Sequence, residues 1–183
     1  MGTVRGVQTE RLDIRALTPD DAKACHSYQS LLEVTTYLYE DPRSLEETEQ
    51  WIARATTGDR DSFVLIRRDT GELIGDIGIW PGEHGNAEFG YVLHPAHQGH
   101  GFATEAVREL VRFGFSERGY RRLVARIDGR NDASRKLLER LNFRREAHFV
   151  RNELVKGEWT DEMVFAMLDE EWAHSVERPK VPS

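Results

Sequence analysis

Apolar and polar residues alternate along several short segments of this chain, a period that is typical of strands with one buried face. Turn residues such as glycine, proline and aspartate separate most of these segments, so each is a candidate for one strand of a common sheet. Seven segments show the pattern: 12–16, 62–67, 73–80, 87–93, 123–127, 149–155 and 163–168. The pattern therefore predicts a sheet of about seven strands.

Helical periodicity, in which apolar residues recur every three or four positions, is found between these strands. A first helix is expected after Thr18, and a second begins at the capping box 44–47. The other two are 103–114, which has the clearest pattern and the greatest length, and 132–141. About four helices are therefore predicted to flank the sheet.

The order of the elements predicts a mixed α/β (α+β) domain. Because a helix connects strand 87–93 to strand 123–127, these two strands should lie side by side and parallel, within a mostly antiparallel sheet. A length of 183 residues suits one domain, which we place at residues 1–176, and a polar, proline-broken tail follows at 177–183. Ligands bind preferentially at such irregular points of a sheet.

Charge and composition narrow the classes of partner. The chain has 25 Lys and Arg against 32 Asp and Glu, a net charge of −7, which argues against nucleic-acid binding and favours a cationic partner. Its one cysteine, Cys25, cannot form an internal disulfide, and the first ten residues do not resemble a secretion signal. No segment approaches the ~18 to 20 apolar residues that cross a bilayer. We therefore expect a cytoplasmic protein with no membrane partner, either a monomer or a homodimer.

A glycine-rich turn at 98–104 stands between the strand 87–93 and the longest helix. Small residues at 99, 101 and 103 let a ligand approach the main chain, and a helix start leaves up to four N–H groups unpaired. These groups and the helix dipole suit a diphosphate. An ordinary glycine-eased turn is the alternative. ATP and NAD are disfavoured, since no Lys-Ser/Thr pair follows the glycines and no repeated βαβ unit precedes them.

Two other candidate sites are weak. The histidines at 94, 97 and 100 are spaced three apart, but Pro95 and the glycines interrupt the helix that would align them, so no metal site is expected. Cys25 is far in sequence from the glycine turn and has no evident base beside it. We therefore expect it to be a buried structural residue.

The glycine turn resembles the signature of the GCN5-related N-acetyltransferase (GNAT) superfamily: Gln or Arg, two residues, Gly, one residue, then Gly or Ala. Here this is 98–103, and 131–143 and 159–165 resemble the family's second block and closing strand. Within the superfamily the chain is most similar to the RimJ/RimL-type ribosomal-protein N-acetyltransferases, through 10–15, 104–106 and 131–134. The resemblance implies a GNAT-like domain whose parallel strands are splayed by a bulge near residue 93.

The resemblance also implies the residues that bind acetyl coenzyme A, the acetyl donor. Main-chain groups would hold its pantetheine and diphosphate, Asn131 would reach the pantetheine arm, and Arg135 would meet the adenosine phosphate. The main-chain groups belong to Leu93, Gln98, Gly99, His100, Gly101, Phe102, Ala103 and Thr104.

Catalytic roles are assigned partly by resemblance and partly by chemistry. Many family members carry a tyrosine that protonates the leaving thiolate, but this chain has Leu138 there, and Ser134 occupies the place of an alternative acid in RimL-like members. Glu153 matches their proposed base, and Glu88 and Asp76 are further candidates. A carboxylate is a useful base only if it is partly desolvated, and each of these could instead be an ordinary strand-face charge.

The predicted function is therefore transfer of an acetyl group from acetyl coenzyme A to an amine. Neutralising a lysine-like amine at pH 7 costs about 4.6 kcal/mol, whereas an α-amine costs about 1 to 1.4 kcal/mol, which favours a protein amino terminus. The alternatives are a small-molecule amine, such as a polyamine, an amino acid or an aminoglycoside, and a non-catalytic acyl-CoA sensor. The segment 31–40, Trp80 and the hairpin at 156–157 are expected to shape the acceptor site.

Overall fold

Eight strands form one mixed sheet, and helices cover both of its faces. The computed structural model describes residues 6–177. The strands are β1 (Val7–Gln8), β2 (Leu12–Ala16), β3 (Asp61–Arg67), β4 (Leu73–Pro81), β5 (Asn86–Leu93), β6 (Arg122–Asp128), β7 (Arg144–Val155) and β8 (Glu158–Leu168). The helices are α1 (Ala22–Gln29), α2 (Leu32–Thr35), α3 (Leu45–Ala55), α4 (Phe102–Ser116), α5 (Asp132–Arg140) and α6 (Asp169–Glu177). The sheet order is β1-β2-β3-β4-β5-β6-β8-β7.

The parallel pair at the centre of the sheet confirms the prediction. β5 and β6 run parallel, but they pair only where 86–88 meets 122–124, and they separate beyond that point. All other neighbouring strands are antiparallel. β5 stays in unbroken register with β4 from Ala87 to Leu93, so over these described residues the predicted bulge is absent. The splay instead begins where the pairing with β6 ends.

Two hydrophobic clusters pack against the two faces of the sheet. The larger lies under α4 and α5, and the smaller lies under α1 and α3. A Cβ atom at Gly114 of α4 would come within 3.1 Å of Ile79 and Leu123, so the glycine lets this long helix approach the sheet closely. This close packing holds the amino terminus of α4 near the end of β5.

The structure adds three elements to the prediction. β1 has only two residues and α2 only four, which is too short to show a period, and α6 follows β8 directly. β7 begins at Arg144, five residues before the predicted start, because most of this edge strand is exposed and lacks an apolar alternation. Of the predicted tail 177–183, Glu177 ends α6 and the remainder lies outside the described residues.

Among residues 6–177, no helix combines the length and the apolar character that crossing a bilayer requires.

Candidate active site

The glycine-rich turn presents a row of free main-chain N–H groups. Gly99 and Gly101 have φ values of 77° and 84°, a conformation that favours glycine, and the first helical hydrogen bond runs from Glu105 N to Gly101 O at 3.1 Å. Among the described residues, no acceptor is paired with the six N–H groups of residues 99–104. An anion of the size of a diphosphate could therefore bind here without displacing a protein hydrogen bond.

Two side chains, one from the loop between β1 and β2 and one from the turn itself, hold the turn in place. The Arg11 guanidinium donates to the carbonyl oxygen of His100 at 2.8 Å and lies 4.7 Å from the centre of the Phe102 ring. Gln98 Nε2 donates to the Leu93 carbonyl oxygen at 3.2 Å. The Phe102 side chain is buried and the His100 side chain is exposed, so both contribute to the row through their main chains.

The edge of β5 that faces the splay also carries free polar groups. His94 N donates to Ile74 O at 2.8 Å, on the side of β4. Because hydrogen-bonding directions alternate along an antiparallel strand, the N–H groups of Leu93 and Tyr91 point the other way, toward β6. Since β6 has already separated there, these groups face open space.

A cavity of about 1140 Å³, which we call the donor cavity because it would hold the predicted acetyl donor, lies along this turn and this edge. Four cationic side chains line it: Arg11, Arg108, Lys136 and Arg140. Of the predicted residues, Leu93, Asn131 and all those from 98 to 104 except His100 line the donor cavity. Arg135 does not, since it pairs with Asp132 and Glu139 on its own helix at 3.0 and 3.1 Å. Lys136 and Arg140 are the α5 cations that face this space.

A second cavity of about 1350 Å³ lies beside the splay, and we call it the acceptor cavity because it is the expected place of the amine. Nine carboxylate residues and four arginines line it, so the field inside it attracts cations. Its floor includes Gly78 of β4 and Gly90 of β5, which are direct cross-strand neighbours and bear no side chain. Predicted wall residues Tyr37, Tyr39 and Trp80 all line it.

The two cavities meet at a junction of six residues that line both. They are Tyr37, Leu38, Tyr91, Val92, Asn131 and Ser134. The Asn131 side chain accepts from Ser134 N at 3.0 Å and so caps α5, which fixes Ser134 at the junction. A group carried in the donor cavity could therefore reach a molecule in the acceptor cavity only past these side chains.

Tyr91 is a residue of this junction that the sequence indicated only as part of the core. Burial raises the pKa of its hydroxyl to about 12, and the nearby Ser134 partly counteracts this rise. The hydroxyl oxygen is buried and forms no hydrogen bond with any residue in the described range. Leu138, by contrast, is fully buried in the core, and Asn142 has a φ of 64°, a left-handed conformation that asparagine tolerates just after the end of a helix.

Glu88 is the predicted carboxylate at the start of the splay, since it is the last residue of β5 that pairs with β6. Burial raises its pKa, while the Arg126 guanidinium at 3.5 Å opposes that rise and Glu162 adds to it. Arg126 also binds Glu162 at 3.0 Å, and Glu162 is itself buried. The sequence did not indicate this Glu88–Arg126–Glu162 group, whose members come from three strands.

Glu153 reaches the acceptor cavity by way of an irregularity in β7. Residues 150–152 bulge out opposite the single residue Asp161, and Arg151 has a φ of 50°. Asp161 fills the bulge by accepting from Arg151 N at 2.9 Å. Glu153 then lies half-buried on the cavity wall, where Asn152 Nδ2 donates to it at 3.1 Å.

The three neighbouring histidines do not form a cluster of metal ligands. The buried His97 lies 3.3 Å from Glu72, whereas His94 Nδ1 accepts from Ala96 N at 3.1 Å. Within residues 6–177 no group of three or more metal-ligating side chains comes together.

Comparison with known proteins identifies the family. Residues 11–144 match the family model described as the acetyltransferase (GNAT) domain. The chain belongs to the GNAT acetyltransferases. It is similar to the uncharacterised N-acetyltransferase YnaD of Bacillus subtilis, with 32% identity over 91% of this chain and 98% of that protein. It is 23% identical to the spermidine N(1)-acetyltransferase of Vibrio cholerae, over 82% of this chain and 89% of that protein.

A solved GNAT structure supports the same assignment. The acetyltransferase from Bacillus anthracis superposes with a TM-score of 0.85 and 28% identity, over 91% of this chain and all of that one. The present GNAT acetyltransferase is thus an enzyme that uses acetyl coenzyme A to acetylate an amine. The amine that it acetylates is a separate question.

Proposed function

We propose that this GNAT acetyltransferase transfers an acetyl group directly to the primary amine of a small cationic molecule. The observation that carries the proposal is the excess of carboxylates in the acceptor cavity, nine against four arginines, at the point where that cavity meets the donor cavity. An acidic site concentrates cations and stabilises them when they bind. One relative of the chain is named for spermidine, a small polycation, which agrees with this chemistry.

The residues of the donor cavity fit coenzyme A. The free N–H groups of residues 99–104 would hold the diphosphate, and the outward edge of β5 at Tyr91 would pair with an amide of the pantetheine arm, which leaves the Leu93 N–H for the thioester. Arg108, Lys136 and Arg140 would bind the phosphate next to the adenosine, in the role first expected for Arg135. When bound, acetyl coenzyme A supplies the activated thioester.

Glu88 is the proposed base. An aliphatic ammonium must lose a proton before it can attack, at a cost of about 4.6 kcal/mol at pH 7. A carboxylate with a raised pKa that faces the acceptor cavity lowers this barrier, directly or through one water. Glu153 remains the alternative, since it lies on the same wall but on a more exposed strand.

Leu93, next to the junction, and two junction residues would serve the other two demands of the reaction. The Leu93 N–H, aimed into the splay, would stabilise negative charge that develops on the thioester oxygen. Ser134 would give a proton to the departing sulfur. The unpaired Tyr91 hydroxyl beside it would either return a proton to Ser134 or protonate the sulfur itself. Carbon–nitrogen bond formation, carbon–sulfur cleavage and protonation of the sulfur would then take place at the junction, and the amine would lose its proton to Glu88 on the adjoining wall of the acceptor cavity.

A protein amino terminus is the second candidate acceptor. The hairpin of β7 and β8 exposes Phe149, Val150, Leu154 and Trp159, and Phe149 also lines the acceptor cavity. An apolar surface beside a cavity mouth is suited to the side chains of a peptide. This candidate keeps the predicted RimJ/RimL-type activity as a hypothesis.

An acceptor panel tests the proposal. The protein with acetyl coenzyme A would be offered matched sets of alkylamines, diamines, polyamines, amino acids, aminoglycosides and short peptides, and turnover would be read as free thiol and as a 42-dalton mass gain of the acceptor, roughly the mass of an acetyl group less one hydrogen. We expect small cationic amines to be acetylated fastest. Acetylation of peptides alone would favour the second candidate. Coenzyme A binding without thiol release from any mixture would indicate a sensor.

A further inference from the structure

Asp76 is a half-buried carboxyl group of the acceptor cavity that the proposed reaction does not use. It lies on β4 directly opposite Val92 of β5, and cross-strand neighbours point to the same face of a sheet. That face is the one that carries Gly90 and Glu88. Asp76 is thus a wall residue of the acceptor cavity next to the junction.

Its two oxygen atoms have different surroundings. Oδ2 accepts a hydrogen bond from the Tyr28 hydroxyl at 2.6 Å and another from Gln29 Nε2 at 3.3 Å. Oδ1 has no hydrogen-bond donor among the described residues, yet it is not among the polar atoms sealed away from solvent. Two donors on α1 therefore fix the carboxyl group by one oxygen and leave the other available to the cavity.

Within the described residues, no cation forms an ion pair with this carboxylate. Arg43 is the cation that influences it, but its guanidinium binds Gln29 Oε1 at 2.9 Å and Glu40 at 3.3 Å. Burial raises the pKa of Asp76 to about 6, so the group is still mainly ionised at neutral pH. A partly desolvated carboxylate without a positive partner has an unfavourable free energy of ionisation. A cation supplied by a ligand would offset this free energy.

Two glycines lie on the path from Asp76 to the proposed base, and the Trp80 ring borders this path, 3.4 Å from the position that a Cβ atom of Gly90 would take. Along β5 the position opposite Asp76 is four residues from Glu88, and the Gly78–Gly90 pair lies between the two carboxylates. From a rise of about 3.3 Å per residue and a strand spacing of about 4.8 Å, the two Cα atoms are about 14 Å apart. An extended aliphatic chain could lie over the glycines with one end near each carboxylate.

We infer that Asp76 binds a second positive charge of the acceptor, an ammonium group at some distance from the amine that is acetylated. The acceptor is then a diamine or a longer polyamine rather than a monoamine, and Asp76 is a residue that determines specificity. One N–H of the distal ammonium donates to Oδ1, while Tyr28 and Gln29 keep Oδ2 in place. The inference rests on the proposed function, because it takes the acidic cavity to be the acceptor site.

Calorimetry on the protein saturated with coenzyme A tests the inference without requiring turnover. Diamines with three to eight methylenes would be titrated beside monoamines of equal chain length. For the wild type we expect at least tenfold tighter binding of the best diamine than of its monoamine. In Asp76→Asn, which keeps an oxygen for Tyr28 but lacks the charge, the ratio should fall below twofold. Asp20→Asn, which removes an exposed charge outside both cavities, should keep the wild-type ratio.

Two results would overturn the inference: a wild-type ratio below twofold across the whole series, or an unchanged ratio in Asp76→Asn. The first needs no variant, so the test holds even if Asp76→Asn does not fold, and Asp76→Ser offers a second neutral side chain. Thiol release from the same mixtures is measured separately. Charge-dependent binding without thiol release would keep the Asp76 site and remove the proposed function, whereas turnover with equal binding of both amines would do the reverse.

Discussion

Arg11 and Glu105 are joined by two hydrogen bonds, one from the Arg11 backbone N–H and one from its guanidinium Nε, each of 2.8 Å. Thr9 adds a third to the same carboxylate at 2.5 Å. Burial alone would raise the pKa of Glu105, but these hydrogen bonds more than offset it, and the pKa is lowered. The first hairpin of the sheet is thereby attached to the first turn of α4, immediately behind the row of free N–H groups.

Removal of this attachment should loosen the fold and the donor site together. Hydrogen bonds to a charged group contribute about 1.5 to 3 kcal/mol, so Glu105→Ala should lower the free energy of unfolding by about that amount. Because the pKa of Glu105 is lowered by folding, this stabilisation should be lost as the pH falls below about 4.3. Urea titrations at pH 7 and pH 4 measure both effects. Glu49→Ala, an exposed and unpaired position on α3 within the described residues, is the control.

Two glycines provide a matched test of the row of N–H groups. Gly99 and Gly71 have φ values of 77° and 73°, and a Cβ atom at either would contact nothing within 4 Å. Alanine at each should therefore destabilise the protein by a similar amount, about 1 to 2 kcal/mol for the left-handed conformation. Only Gly99→Ala should weaken coenzyme A binding, by tenfold or more in calorimetry, because only that methyl group enters the donor cavity. Equal affinities in the two variants would mean that the turn does not hold the diphosphate.

Charge-neutral variants distinguish the two candidate bases. General acid–base catalysis contributes about 10²- to 10⁴-fold, so Glu88→Gln should reduce kcat by at least about 10²-fold with little change in coenzyme A affinity. Glu153→Gln should reduce it by less than tenfold, since Glu153 is held by an exposed bulge. Steady-state rates from pH 6 to pH 10 report both. The opposite order of effects would transfer the role to Glu153.

Two hydroxyl groups at the junction compete for the role of acid. Ser134→Ala and Tyr91→Phe each remove one hydroxyl and should each slow kcat while leaving coenzyme A affinity within about tenfold. If the groups share one proton path, the double variant should be little slower than the slower single variant. Rates that stay at the wild-type value in all three would exclude both side chains, and the solvent would then protonate the sulfur.

Asp76 should make the stability of the free enzyme depend on pH. Its pKa of about 6 in the folded protein is above the ordinary value of 3.8, so folding favours the protonated form. The wild type should therefore lose about 3 kcal/mol relative to Asp76→Asn as the pH rises from 4 to above 6, and no more beyond that. Chemical denaturation of both proteins across this range gives the difference. A constant difference would mean that Asp76 titrates normally.

Local patterns were sufficient to predict most of the fold. The parallel pair β5–β6 follows from the helix that connects the two strands, and the row of N–H groups follows from glycines at a strand-to-helix turn. The edge strand β7 was predicted too short, because a strand exposed on both faces carries no alternation of apolar residues. The bulge at 150–152 depends on Asp161, ten residues away from Arg151, and no local rule indicates it.

The surroundings of the carboxylates in the acceptor cavity could not be predicted from local sequence either. Glu88 lines the acceptor cavity and its catalytic role stays a prediction, but its partners Arg126 and Glu162 come from other strands. The donors that fix Asp76 are 48 and 47 residues away in the chain. A sequence indicates that a carboxylate lies on a strand, but whether it is neutralised depends on contacts that form only when distant segments pack together.

The six-residue junction has a consequence for kinetics. Both reactants should occupy their cavities at once, because no activated nucleophile lies between the cavities among the described residues. Within residues 6–177, the hydroxyl groups of Ser134 and Tyr91 have no hydrogen-bonded carboxylate or imidazole to activate them, and Cys25 is buried, which raises its pKa to about 12. Double-reciprocal plots should therefore intersect rather than run parallel. Each turnover would then pass through one ternary complex, and no acylated form of the enzyme would accumulate.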